Sequence, residues 1–164
     1  MGTTFVTITD GNTGDEPGFW MRDSMLELWL RLLSFHLPEP SDLGDHKLTP
    51  EIRNRWMLAS KGYFNGCVPH DMEFACSTKE SRTVVKSAIQ SLMKALDKDD
   101  SALDPNMLNL LGNEGCIFNQ PIDRSCLVDI GYAFLDLIDG RFDGTAHSTE
   151  IMPGSKPYPR QNAT

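Results

Sequence analysis

The stretch KGYFNGCVPHDMEFAC, residues 61 to 76, gathers two cysteines, a histidine, an aspartate and a glutamate within sixteen positions. A cysteine nucleophile needs a neighbouring base to form its thiolate, and Cys67 with His70 three residues on would meet in a tightly folded loop. No flanking motif of a thiol enzyme accompanies the pair. A metal reading would take Cys67, His70 and Cys76, with Asp71 or Glu73 completing the shell, although structural zinc sites bring their ligands in closer pairs. The third reading is structural: VPHDMEFAC forms a turn or a single helical turn, with Met72, Phe74 and Cys76 tucked under neighbouring helices. The flanks favour this last reading, because Gly62 ends one helix, Asn65-Gly66 turns the chain and Pro69 restarts it.

The rest of the chain supplies few rivals for a catalytic role. The four cysteines, at 67, 76, 116 and 126, are spaced C-x8-C and C-x9-C, which predicts reduced thiols in a cytoplasmic protein and no structural zinc. His36 falls at a helix end, His46 in a polar loop and His147 in the C-terminal stretch, each without a visible partner. Phosphate-loop, dinucleotide, zinc-protease and serine-hydrolase signatures are not found. The expectation is a protein with no catalytic residues, cofactor or metal.

Around these residues the pattern predicts a mainly α fold of about five helices in one compact domain, which suits 164 residues with 40% apolar side chains. Residues 1–18 read as a short extended arm and loop, from the β-branched run TTFVTIT followed by DGNTGDEPG. Residues 19–143 read as the helical domain. Its first helix is predicted from Phe19 to His36, after Pro17, and its apolar residues cover most of its circumference, which marks it as central. A second helix follows Thr49-Pro50, with Ile52, Trp56, Ala59 and Tyr63 on one face. STKE, residues 77–80, reads as a capping box pairing Ser77 with Glu80, and it opens an amphipathic helix over about 78 to 97. Asp104-Pro105 starts a short helix that Gly112 stops. The last helix runs from about Asp123 to Gly140. Residues 144–164 read as a mobile tail or an arm laid on the surface.

The N-terminal segment has neither the basic nor the apolar region of a signal peptide, and the greasiest run, MLELWLRLLSFHL, is too short to span a bilayer. The net charge is −8, with a sequence pI near 4.9, so nucleic acid and anionic membranes are poor partners. The acidity is concentrated. Residues 97–143 hold ten Asp/Glu against three Lys/Arg, whereas residues 1–96 hold twelve against ten. In the last helix Asp129, Tyr132, Asp136, Asp139 and Asp143 recur at helical spacing, which predicts one exposed acidic stripe with a phenol in it. That stripe reads either as a solvated face or as a docking face for a basic protein, with Tyr132 as its anchor and Asp97, Asp99, Asp100 and Glu114 extending it.

In size, acidity and helical content, and in its lack of a catalytic signature, the chain resembles the small acidic bacterial immunity proteins. That resemblance implies one-to-one binding that plugs the active site of a cognate toxin domain, without chemistry of its own. The leading expectation is therefore a non-enzymatic cytoplasmic protein that binds a basic protein partner. The alternatives are a small thiol- or metal-dependent enzyme built on Cys67 and His70, and an adaptor or regulatory subunit.

Overall fold

The computed structural model of the protein describes residues 2–10, 13–39, 48–99, 101–111, 115 and 117–159. His46, Asp100, Gly112, Glu114 and Cys116 lie outside the described residues. The chain opens with two strands, β1 (Thr3–Thr7) and β2 (Gly18–Arg22), paired antiparallel with Phe5 opposite Trp20 and Val6 opposite Phe19. The strand at 18–22 corrects the expectation that the first helix begins at Phe19, and it divides the hairpin across the predicted boundary at residue 18. The physical reason lies in the alternation of GFWMR: Phe19 and Met21 are buried while Trp20 and Arg22 point outward, a period of two that a helix would scramble.

Six helices follow among the described residues: α1 (Asp23–His36), α2 (Thr49–Ala59), α3 (Met72–Ala75), α4 (Lys79–Leu96), α5 (Pro105–Leu110) and α6 (Arg124–Ile138). The fold is thus mainly helical with an N-terminal hairpin, a mixed α/β arrangement. None of these helices is long and apolar enough to cross a membrane. Helix α1 is the centre. It packs against α2, α4 and β2, and buries Leu26, Trp29, Leu30 and Leu33 completely.

Helix α4 is started by Thr78 and Ser81, which exchange bonds as a capping box: Ser81 N–H donates to Thr78 Oγ1 (3.0 Å) and Thr78 N–H to Ser81 Oγ (3.1 Å). The motif therefore sits one residue later than the predicted Ser77–Glu80 pair. Ser81 is buried and Glu80 exposed, so burial of the helix's inner face chooses the register. Helices α4 and α6 approach closely at Gly131, where a Cβ would stand 2.5 Å from Met93 Sδ.

Helix α6 ends in a Schellman motif. Gly140 takes a φ of +70°, its N–H bonds the Leu137 carbonyl (3.2 Å), and the Arg141 N–H bonds the Asp136 carbonyl (2.8 Å). Beyond it the chain turns back over the core. The Gly144 carbonyl accepts from Gly18 N–H (2.8 Å) and the Ala146 carbonyl from Trp20 Nε1 (2.7 Å). A run of rings then joins β2, α1, α6 and the C-terminal segment: Phe19 meets Phe134 edge-on at 5.3 Å, Trp29 lies 5.8 Å from Phe134, and Phe142 lies 5.2 Å from Phe19.

Candidate functional site

The 61–76 stretch is tied to β1 and to the start of α1 by hydrogen bonds. Asp23, the first residue of α1, is buried and accepts from Thr4 Oγ1 (2.7 Å) and from Gly66 N–H (2.6 Å). Thr4 Oγ1 in turn accepts the Val68 N–H (2.9 Å). The backbone on both sides of Cys67 is therefore tied to one buried carboxylate and one buried hydroxyl, which leaves the Cys67 side chain exposed. Asp23 carried no signal of this role while it was read as a mid-helix residue.

His70 is held the same way. The Met72 N–H donates to Nδ1 (3.1 Å), which places the ring proton on Nε2, and Nε2 donates to the Phe5 carbonyl (3.1 Å). Desolvation is the largest influence on the ring and lowers its pKa below the ordinary value, against the raising effects of the Phe5 bond and the Asp71 charge. Both nitrogens are committed to backbone groups, so His70 has no lone pair left with which to take a proton from Cys67.

The neighbouring groups are similarly engaged. Asp71 adopts a φ of +48° before α3 and pairs with Arg55 (3.2 Å), whose guanidinium lies 4.1 Å over the Phe74 ring. Trp56 Nε1 donates to the His70 carbonyl (2.9 Å). Burial pushes the Cys76 thiol up to about 12, which makes it inert as a nucleophile. No group of three potential metal ligands occurs among the described residues. An open groove of about 400 Å³ runs past this region, lined by Phe5, Trp20, Cys67 and His70.

The predicted acidic stripe is reorganised by the fold. Asp136 is not on an exposed face: it is 6% exposed, its Oδ1 accepts from Arg141 Nε (3.0 Å) and Nη2 (2.8 Å), and its Oδ2 accepts the Tyr158 hydroxyl (2.9 Å). Asp139 pairs with Lys86 of α4 (2.6 Å) and with Arg141 (3.1 Å). Asp143 is exposed but leaves the helical register, because the left-handed turn at Gly140 ends α6 before it. Asp129 is half-buried and accepts the Tyr158 N–H (3.3 Å), and Tyr132 stays exposed. Helical spacing placed these residues on one side of α6, but cations brought from α4 and from residue 141 neutralise two of the carboxylates. Burial and the bond to Asp136 raise the Tyr158 phenol above its ordinary range.

A second surface escaped the reading of periodicity. Leu103 and Ile122 exchange backbone bonds (2.8 and 3.2 Å), closing the base of an excursion that carries α5. Asp104 caps α5 by accepting from Asn106 N–H (2.8 Å). The Asn109 amide then clasps Phe118 from both sides, donating to its carbonyl (3.0 Å) and accepting its N–H (2.8 Å). Held this way, the excursion presents Met107, Leu110 and Ile117 to solvent at 60, 84 and 75% exposure. Asp97, Asp99 and Asp123 line a recess beside Arg124 near its base. This apolar display was not legible because a six-residue helix is too short for its periodicity to show which side chains remain in solvent.

Compared with protein-family models, with curated proteins and with solved structures, the chain finds no match.

Proposed function

We propose that this is a non-enzymatic protein that acts by binding a basic protein partner, and that toxin neutralisation is its specific form. The observation that carries the reading is the apolar display of Met107, Leu110 and Ile117, set in the most acidic part of the chain. Exposed apolar side chains that the fold holds in place, in a segment rich in carboxylates, suit a protein interface whose core excludes water and whose rim selects a partner of opposite charge. The contact surface therefore centres on α5 and is flanked by Asp99, Asp104 and Asp123, with Asp129, Tyr132 and Asp143 on α6 and just beyond it as its second part. The engagement of both His70 nitrogens supports binding over thiol chemistry at Cys67.

The test is co-expression with the product of the neighbouring gene. The expected result is rescue of growth when that product is toxic, one-to-one co-purification, and loss of both with Leu110→Asp together with Met107→Asp. Anchors of this kind contribute about 2 kcal/mol or more, so the double variant should weaken the complex by well over tenfold. Wild-type affinity from a folded double variant would overturn the assignment of the surface, and a neighbour neither bound nor silenced would overturn the toxin reading.

A further inference from the structure

The C-terminal segment lies against α6, and the manner in which it does so is informative. Ser155, Lys156, Pro157 and Pro159 are exposed, and Tyr158 is half-buried. Its ring lies parallel to Phe142 at a centroid distance of 6.1 Å and an angle of 8°. Its hydroxyl donates to Asp136 Oδ2 (2.9 Å) and its backbone N–H to Asp129 Oδ2 (3.3 Å). The seat is built for this purpose: Asp136 is more than nine-tenths buried, and Arg141 holds one of its oxygens and leaves the other for the phenol. Pro157 and Pro159 have no N–H, favour an extended backbone and lower the entropy lost on docking, so Tyr158 offers the one main-chain donor of the three residues. Lys156, two residues before Tyr158, is exposed and adds a cation to the run.

We propose that the seat formed by Asp136, Asp129 and Phe142 is an exchangeable recognition site for an extended, basic, tyrosine-bearing segment of a partner protein, with the run Lys156–Pro159 as its resting occupant. The proposal rests on the reading of the protein as a binder of basic partners and names the chemistry of one contact. A single anchored side chain in the strap makes exchange feasible. Tethering makes it selective, because an occupant attached through a short linker competes at an effective concentration on the order of millimolar. An isolated segment at micromolar concentration cannot enter the occupied seat. A partner that also covers the α5 display can.

The test uses the full chain and a fluorescein-labelled peptide with the sequence of residues 154–160, GSKPYPR, followed by fluorescence anisotropy at low ionic strength. The expected result is at least tenfold tighter binding to Tyr158→Ala than to the wild type. Replacing the peptide's tyrosine with phenylalanine should weaken binding several-fold. Tyr158→Phe, which keeps the ring on Phe142 and removes only the hydroxyl bond, should give an intermediate gain and serves if Tyr158→Ala does not fold. Equal binding to wild type and variants, or no binding to any of them at millimolar peptide, overturns the proposal. Neither result bears on co-purification with the neighbouring gene product, so failure of the seat and failure of the binding reading are distinguishable.

Discussion

Replacing Asp23 with alanine should loosen the whole 61–76 stretch, and the cost follows from its two accepted bonds. The Thr4 hydroxyl at 2.7 Å belongs to a buried residue and loses a charged acceptor, a loss of about 2 kcal/mol. Gly66 N–H at 2.6 Å belongs to an exposed residue that water can reach, so its loss is smaller, about 1 kcal/mol. Removing a carboxylate from the first turn of α1 adds a few tenths through the helix dipole. The sum, about 3 kcal/mol, divided by a urea dependence of about 2 kcal/mol per molar, lowers the denaturation midpoint by about 1.5 M. Equilibrium urea unfolding followed by tryptophan fluorescence measures this, and hydrogen exchange at the Gly66 and Val68 amides should accelerate in the same variant. Asp23→Asn should lose about half as much, since its amide oxygen can accept only one of the two donors on the geometry seen. A midpoint shift below about 0.5 M with an unchanged slope would refute the claim that this carboxylate anchors the loop.

Two further predictions concern the same stretch. His70 has a lowered pKa in the folded protein, so the unfolded chain takes up the proton first as pH falls. Its stability contribution is complete above the ordinary value of 6.5 and is lost as pH drops through 6.5 toward the lowered folded value. The slope of stability against pH in that window should fall by up to about 1.4 kcal/mol per pH unit in His70→Gln, measured by urea unfolding between pH 5 and pH 7. His36, also lowered by desolvation, is present in both proteins and cancels in the difference. An unchanged slope would show that His70 titrates freely. In labelling with an aromatic disulfide, exposed Cys67 should react in the native state, whereas Cys76, buried and pushed up to about 12, should react only on unfolding. Rapid labelling of native Cys76 would contradict its burial.

The helices were legible where periodicity and capping chemistry are local. The all-round apolarity of α1 marked it as the centre, Asp104-Pro105 marked the start of α5, and Gly140 marked the end of α6. These follow from side-chain spacing and from backbone groups that only nearby residues can satisfy. The hairpin was half legible. TTFVTIT reads as a strand, but FWMR is short enough to fit either period, and only pairing with β1 chooses the alternation that buries Phe19 and Met21.

The candidate site depended much more on contacts between distant residues. Spacing put Asp129, Tyr132, Asp136 and Asp139 on one side of α6, and it carried no information about Lys86, Arg141 or Tyr158, which arrive from other elements and convert two free charges into internal bonds. Cys67 and His70 are three residues apart in sequence, yet their chemistry is decided by Thr4, Phe5 and Asp23, some forty to sixty-five residues away. Sequence by itself determined the helical periods, the turns and the acidic balance, because these depend on residues a few positions apart. Which carboxylates stay exposed, which ring nitrogen holds the proton and which apolar residues remain in solvent were decided only when tertiary packing supplied partners to some groups and left others to water.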